Sequence, residues 1–337
     1  MKAIQHTDFG APEVFHLVEL PDPRPAAGEV VIRSQAIGVN FHDLWARIGF
    51  PGMVLLPCIP GIEVAGIIEA VGEAVPRSLQ PGQRVVGMPL ITHGAYAELV
   101  RVPADYVYVL PDTISFEEAA TLPLNYLQAY AALIFMGHIR AGERVLIQAA
   151  AGGVGLAAVQ LACLWNAEIF ATASSEKHNF LKAQGVAHMI DYRSLDFEQE
   201  VLRITGNSGV DLIIDGVGGD TFAKGYRLLR YGGRLVCYGA SHALMQKSGL
   251  PDNIESTFQT GEVSFLVLEG DARAVMGIHL GAEPPVLKGW MIEILQLYSE
   301  GKIRPHVGRV FPLGEAAKAH HYIHDRQNIG KVLLIPS

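Results

Sequence analysis

The run Arg144-Val145-Leu146-Ile147-Gln148-Ala149 opens directly into Ala150-Ala151-Gly152-Gly153-Val154-Gly155, and a helical stretch follows from Val154 to Asn166. An apolar strand, a glycine turn and a helix in that order are the context a dinucleotide-binding crossover needs. Ala150, Gly152 and Gly155 occupy the three small-residue positions of G-x-G-x-x-G, with Ala in place of the first Gly. The middle glycine lets the backbone approach a pyrophosphate, and the last lets helix and strand pack closely. N–H groups at the helix start then face the anion. Ala151, Gly152, Gly153, Val154 and Gly155 are therefore the candidate pyrophosphate-binding residues. A glycine pattern alone also describes a plain tight turn; the flanking strand and helix are what raise it above that.

The rest of the chain is organised around this turn. From Asn125 onward, apolar runs alternate with helical stretches: Arg144 to Ala149, Glu168 to Thr172, Val210 to Asp215 and Arg234 to Gly239, each followed by Gly, Ser or Asp. That is the pattern of a parallel sheet covered on both faces, which binds ligands at the carboxyl ends of its strands. Ala274 to Leu280 reads as one more strand at the sheet edge, able to pair with its copy in a second subunit. Leu244 to Val263, before it, is polar and irregular.

Up to Leu124 the chain instead shows short strands broken by Gly and Pro, at Glu29 to Ala36, Val64 to Val71, Gln83 to Gly87 and Ala97 to Val102. The tail reads as a helix from Leu287 to Glu300, a link from Gly301 to Phe311, a helix from Gly314 to about Asp325 and a strand from Val332 to Ile335. An α/β chain of two domains is expected, as 337 residues exceed the usual size of one. Residues 1–124 and 284–337 form a mainly β domain, and residues 125–283 a doubly wound parallel-sheet domain.

Composition narrows the ligand class. The formal charge of −8 is spread along the chain without a basic stripe, so nucleic acid is not the expected partner. Three cysteines, Cys58, Cys163 and Cys237, are too few and too scattered for a disulfide framework. No apolar run is long enough to cross a bilayer, and the start resembles no secretory signal. A cytoplasmic protein acting on a small molecule is the expectation.

The second strand of the parallel sheet ends in Thr172-Ala173-Ser174-Ser175-Glu176-Lys177. An acidic residue at this strand end would hold the ribose of NAD. Here Ser174 can hydrogen-bond a 2′-phosphate and Lys177 can neutralise it, which favours NADPH. The commoner fate of a lysine in a first helical turn is a solvated charge. Tyr192 fits either the flank of the adenosine phosphate or a plain rim position.

Together with that turn, several motifs resemble the zinc-independent quinone oxidoreductases of the medium-chain dehydrogenase/reductase superfamily. They are Gly38-Val39-Asn40-Phe41-His42-Asp43, Pro60-Gly61-Ile62-Glu63, Ser174 to Lys177, Asp191-Tyr192, Asp215-Gly216-Val217-Gly218-Gly219 and Gly330-Lys331-Val332-Leu333-Leu334-Ile335-Pro336. Lys224 to Ala240, Arg273 to Gly281 and Gly301 to His306 look most like the VAT-1-like branch. The resemblance implies a GroES-like catalytic domain beside a Rossmann domain, paired as a homodimer through a Rossmann edge strand, with the nicotinamide in the cleft between the domains. It carries Asn40 and Asp43 to the cleft border, in positioning roles with no acid or base assigned. Gly239, Ala240 and Ser241 go to the nicotinamide half, and Asn328 and Lys331 close over the cofactor from the tail. Asn125 and Tyr126 also match the family pattern. Gln128 departs from it, standing beside the nicotinamide where a Thr is expected.

No metal is expected. Zinc-dependent relatives carry Cys at the position of Asn40 and His at that of Ile62, and neither replacement suits zinc. His320, His321 and His324 share one helical stretch, best read as a solvated face. His42 lies in the cleft loop, where a role as proton donor has no visible partner to support it. The resemblance implies hydride transfer from NADPH to a quinone or other electron-poor carbonyl or enone acceptor. Phe170 to His178 and Ser194 to Glu198 also resemble the enoyl reductase domains of polyketide synthases, which reduce an activated C=C bond. A third reading is an NADPH-binding structural or interaction protein with incidental activity.

Overall fold

The structure is a computed structural model that describes residues 1–90, 92–244, 265–281 and 283–336. Six parallel strands form one sheet, in the spatial order His188–Ile190, Glu168–Thr172, Arg144–Ile147, Val210–Asp215, Leu229–Cys237 and Ala274–Gly277. Chain order runs outward in one direction from Arg144–Ile147 and in the other from Val210–Asp215. These neighbours therefore flank a topological switch point, where a crevice opens at the carboxyl ends of an α/β sheet. All six residues of Val210–Asp215 are buried, as in a strand covered on both faces. The expected strands are present, with the last ending at Gly277. The polar stretch from Leu244 to Val263 falls, beyond Leu244, outside the described residues.

A second sheet runs Val307–Pro312, Lys331–Ile335, Glu29–Val39, Val64–Val71, Arg84–Gly87 and Val107–Val109, with Leu99–Pro103 also paired to Glu29–Val39. Lys331–Ile335 lies antiparallel beside Glu29–Val39, so the tail completes a sheet begun near the amino end. The link expected from Gly301 to Phe311 contains a strand instead. Five of the six residues of Val307–Pro312 are exposed or half-buried, so it lacks the buried alternation that marks a strand in sequence. A separate hairpin-like pair, Lys2–Gln5 with His16–Glu19, was equally silent.

Residues 122–136 join the sheets as one helical stretch in which wide π-type turns flank an α-helical turn at Leu127–Tyr130. Trp290 of the helix Pro284–Ser299 packs against it, with ring centroids 5.8 Å from Tyr130 and 5.0 Å from Phe135. Leu287, Met291 and Ile294 of that helix are buried in the same core as Val145 and Ile147. We therefore propose that the dinucleotide domain extends to about residue 300, past the boundary drawn at 283. No helix among the described residues is long and apolar enough to cross a membrane.

One glycine in the second sheet has no room for a side chain. A Cβ on Gly66 would stand 2.0 Å from the carbonyl oxygen of Arg33 on the neighbouring strand. Gly66→Ala is expected to cost about 1–3 kcal/mol through overpacking against backbone, read as a lower urea midpoint with an unchanged denaturant slope.

Candidate functional site

The glycine turn sits at the switch point. Gly152 caps the helix Gly153–Cys163, whose first-turn N–H groups have no helical acceptor and point out of the helix end. The residue that turns the chain is Ala149, at φ 50°, a left-handed conformation that a non-glycine residue adopts at some cost. A Cβ on Gly155 would lie 2.4 Å from the Ala149 carbonyl oxygen and 2.7 Å from Ala150 Cα. One on Gly153 would run into the Asn125 amide at 2.6 Å. The turn is thus packed tightly, against backbone at Gly155 and against the Asn125 side chain at Gly153.

A cavity of about 530 Å³ extends from this turn. Asn40, Asn125, Gln128, Ala151, Gly152, Gly153, Val154, Gly155, Ser174, Lys177, Tyr192, Gly239, Ala240, Ser241, Asn328 and Lys331 all line it. Asp43 does not, contrary to its expected place on the cleft border. It is fully buried beneath the wall, where Oδ2 accepts the Asn40 backbone N–H at 2.8 Å and the Tyr96 hydroxyl at 3.1 Å. As the third residue of the helix that Asn40 caps, Asp43 folds back on the helix start.

At the far end of the cavity, Lys177 Nζ donates to the carbonyl oxygens of Arg326 at 2.6 Å and Asn328 at 2.8 Å. Two of its three donors thus tie down the tail loop. Burial lowers the Lys177 pKa from its usual value. Tyr192 lies between the guanidinium groups of Arg193 and Arg326, each 6.0 Å from its ring centroid. The Ser174 hydroxyl holds the Glu176 carboxyl below its ordinary range, and Glu176 pairs with Arg193 at 3.0 Å. Arg193 and Arg326 were not singled out from sequence. The first adjoins Tyr192; the second reaches the site only because the tail returns to it.

At the cavity floor, Glu63 Oε1 accepts from Asn40 Nδ2 at 2.8 Å, and Oε2 accepts the Leu124 N–H at 3.0 Å. Lys331 Nζ closes the set by donating to both Glu63 and Asn40 Oδ1. Lys331 therefore sits in the floor, paired with Glu63, where the resemblance had it closing over from the tail. Glu63 itself was missed as a site residue, although it ends the quoted Pro60-Gly61-Ile62-Glu63 motif. Gln128 is 7% exposed, and its Nε2 has no hydrogen-bond partner.

The histidines of the tail helix are not a solvated face throughout. His320 is fully buried, with Nε2 3.0 Å from the Tyr96 hydroxyl and Phe15 edge-on at 4.7 Å. Among the described residues, no group of three or more His, Cys, Asp or Glu side chains is arranged to hold a metal ion.

A doubly wound sheet whose switch point faces a β-rich second sheet across a cleft is the architecture of a medium-chain oxidoreductase. The alcohol dehydrogenase GroES-like domain family matches residues 26–112, and the zinc-binding dehydrogenase family matches residues 184–334. The human synaptic vesicle membrane protein VAT-1 homolog is 39% identical over 100% of this chain and 86% of its own length. A quinone oxidoreductase of Escherichia coli complexed with NADPH superposes with a TM-score of 0.88 at 31% identity, covering 100% of both chains. The CurK enoyl reductase gives 0.84 at 31% identity, covering 100% of this chain and 99% of its own. The chain belongs to the medium-chain dehydrogenase/reductase superfamily, within the group formed by the zinc-independent quinone oxidoreductases and the VAT-1 homologs.

Two consequences can be measured. Glu63→Gln leaves the Lys331 ammonium buried without its counter-charge and is expected to cost about 3–5 kcal/mol in chemical denaturation. His320 has a folded-state pKa well below its ordinary value, because burial penalises the charged ring. The unfolded chain therefore binds a proton that the folded one excludes, so stability is retained above pH ~6.5 and falls as the pH drops below it. His320→Gln should remove about 1.4 kcal/mol per pH unit of that acid-side slope, seen by comparing urea midpoints at several pH values.

Proposed function

We propose that this chain is an NADPH-dependent reductase that delivers hydride to a quinone or another electron-poor carbonyl or enone. The carrying observation is one continuous cavity. It joins a helix start cradled by glycines to a cationic adenosine end with no acidic residue at the Ser174 position. The NADPH complex of the similar Escherichia coli enzyme supports the same cofactor. In this reading the first-turn N–H groups of Gly153, Val154 and Gly155 hold the pyrophosphate. Ser174, Lys177, Tyr192 and the flanking arginines take the 2′-phosphate. Asn40, Gln128 and Gly239 to Ser241 border the nicotinamide, which supplies hydride when bound.

Asn40 and Ile62 offer neither thiolate nor imidazole, so the residues do not fit a catalytic zinc. Catalysis then rests on positioning and hydrogen bonding by the chain itself. Trp45, Leu90 and Leu124 add apolar wall for the acceptor. A second reading, reduction of an activated C=C bond, is favoured by the similarity to the CurK enoyl reductase. We also propose a cytoplasmic homodimer joined through Ala274–Gly277, the outermost strand of the parallel sheet.

The activity test is loss of NADPH absorbance with a panel of quinones, simple enones and an enoyl thioester. Turnover of quinones or enones is expected, preference for the thioester would favour the second reading, and no turnover of any acceptor would reject both. Lys177→Ala is expected to weaken NADPH about ten- to a hundredfold through loss of a charged hydrogen bond, with far less effect on NADH. Equal loss for the two cofactors in a calorimetric titration would leave the lysine only its role in tethering the tail loop.

A further inference from the structure

Reduction of an enone needs a proton as well as a hydride, and His42 is placed to supply it. His42 is the second residue of the helix Phe41–Ile48, next to Asn40, and lines the cavity. Among the described residues its Nδ1 is buried without a hydrogen-bond partner, and so is Oδ1 of Asp43. These two unpartnered atoms lie 3.9 Å apart, within ion-pair distance and somewhat longer than a hydrogen bond. Asp43 cannot swing away. Its Oδ2 is fixed by the Asn40 N–H and the Tyr96 hydroxyl, and Tyr96 is held in turn by His320.

The other ring nitrogen, Nε2, is in a different position. The His42 side chain is 29% exposed and makes no hydrogen bond among the described residues, yet Nε2 is not among the buried unpartnered atoms. Nε2 therefore keeps accessible surface, on a side chain that lines the cavity. The remaining face of the ring stacks on His93, with centroids 5.3 Å apart and planes 26° apart. Burial first, and the neighbouring His42 second, lower the His93 pKa from its ordinary value. The carboxylate within ion-pair distance of His42 is Asp43 on its own helix.

We propose that His42 is the proton donor to the reduced acceptor, with Asp43 as the positioning residue that keeps a proton on Nδ1 and stabilises the imidazolium. The inference rests on the reductase reading above. In the step, the β-carbon of an enone gains hydride from the reduced nicotinamide, and the electron pair moves onto the carbonyl oxygen as an enolate. The Nε2–H bond of His42 then breaks as a C–H bond forms at the α-carbon, or an O–H bond at the oxygen. The neutral ring regains its proton from water. An acid oriented by a carboxylate through its far nitrogen follows the general logic of paired histidine and aspartate. Such pairs are often loose before the substrate binds.

Two independent measurements test it. Nitrogen NMR of the ligand-free protein reads which ring nitrogen carries the proton. The neutral His42 ring is expected to be protonated at Nδ1, and Asp43→Asn is expected to lose that preference. A wild-type ring protonated at Nε2 alone would overturn the pairing whatever the enzyme reduces. Kinetically, His42→Gln is expected to lower kcat for an enone about a hundredfold, with NADPH affinity unchanged by calorimetry, and to abolish the fall in rate at high pH. Quinone reduction should fall much less, because the aromatic oxyanion takes its protons from water. His93→Phe, which keeps the stack, should retain the high-pH limb. An unchanged enone rate and pH profile in His42→Gln, or loss of the limb in His93→Phe instead, would overturn the donor role. Absence of turnover in the wild type would reject the reductase reading and the donor role with it, leaving the NMR result to decide the pairing alone.

Discussion

A single buried carboxylate organises this protein. Glu63, 1% exposed, receives the side-chain amide of Asn40, the backbone N–H of Leu124 and the ammonium of Lys331. Four stretches distant in sequence meet there: the loop before Val64–Val71, the start of the cleft helix, the entrance to the helical stretch 122–136 and the last strand. A charge removed from water is tolerated only when its lone pairs are met by donors and its charge by a counter-ion. That requirement fixes where the stretches stand relative to one another. Gly38 belongs to the same arrangement, since a Cβ there would lie 2.1 Å from Glu63 Oε1. The cavity is the space left beside this knot.

The knot also explains the division of labour along the cavity. The end proposed for the phosphates is built from backbone N–H groups and cationic side chains, both suited to an anion. The end proposed for the nicotinamide is built from side chains locked by one another: Asn40 by Glu63 and Lys331, and Asp43 by Asn40 and Tyr96. Locked side chains can hold a geometry that solvent-exposed ones cannot.

Much of this was legible in the chain. The glycine turn needs only about a dozen consecutive residues to declare itself, and each central strand of the parallel sheet is a compact apolar run. The turn residues and Ser174 and Lys177 at a strand end followed from that pattern, while Asn40, Asn125, Gln128, Gly239 to Ser241, Asn328 and Lys331 came from the family resemblance. Features that depend on distant partners were not legible. Val307–Pro312 pairs through its backbone while leaving most side chains in solvent. His320 is buried by Phe15 and Tyr96, which lie more than two hundred residues earlier. Arg326 reaches Tyr192 only through the path of the tail. Asp43 is an intermediate case: Asn40 followed three residues later by Asp43 is a capping pattern, and that spacing turns the carboxylate toward its own helix and away from the cleft.

The position of the last strand bears on how the molecule is made. Lys331–Ile335 lies inside the second sheet, between Glu29–Val39 and Val307–Pro312, and Gly330 N–H bonds the Ala151 carbonyl oxygen at 2.8 Å. Leu99–Pro103 pairs only with Glu29–Arg33, so until Lys331–Ile335 is made the Ile37–Val39 end of the strand has one flank without a partner strand. Open edges are templates for unwanted pairing, and contacts this far apart in sequence form slowly. The nascent chain therefore carries that short open edge until residues 331–335 are made, and the strand that covers it also supplies the lysine that neutralises Glu63.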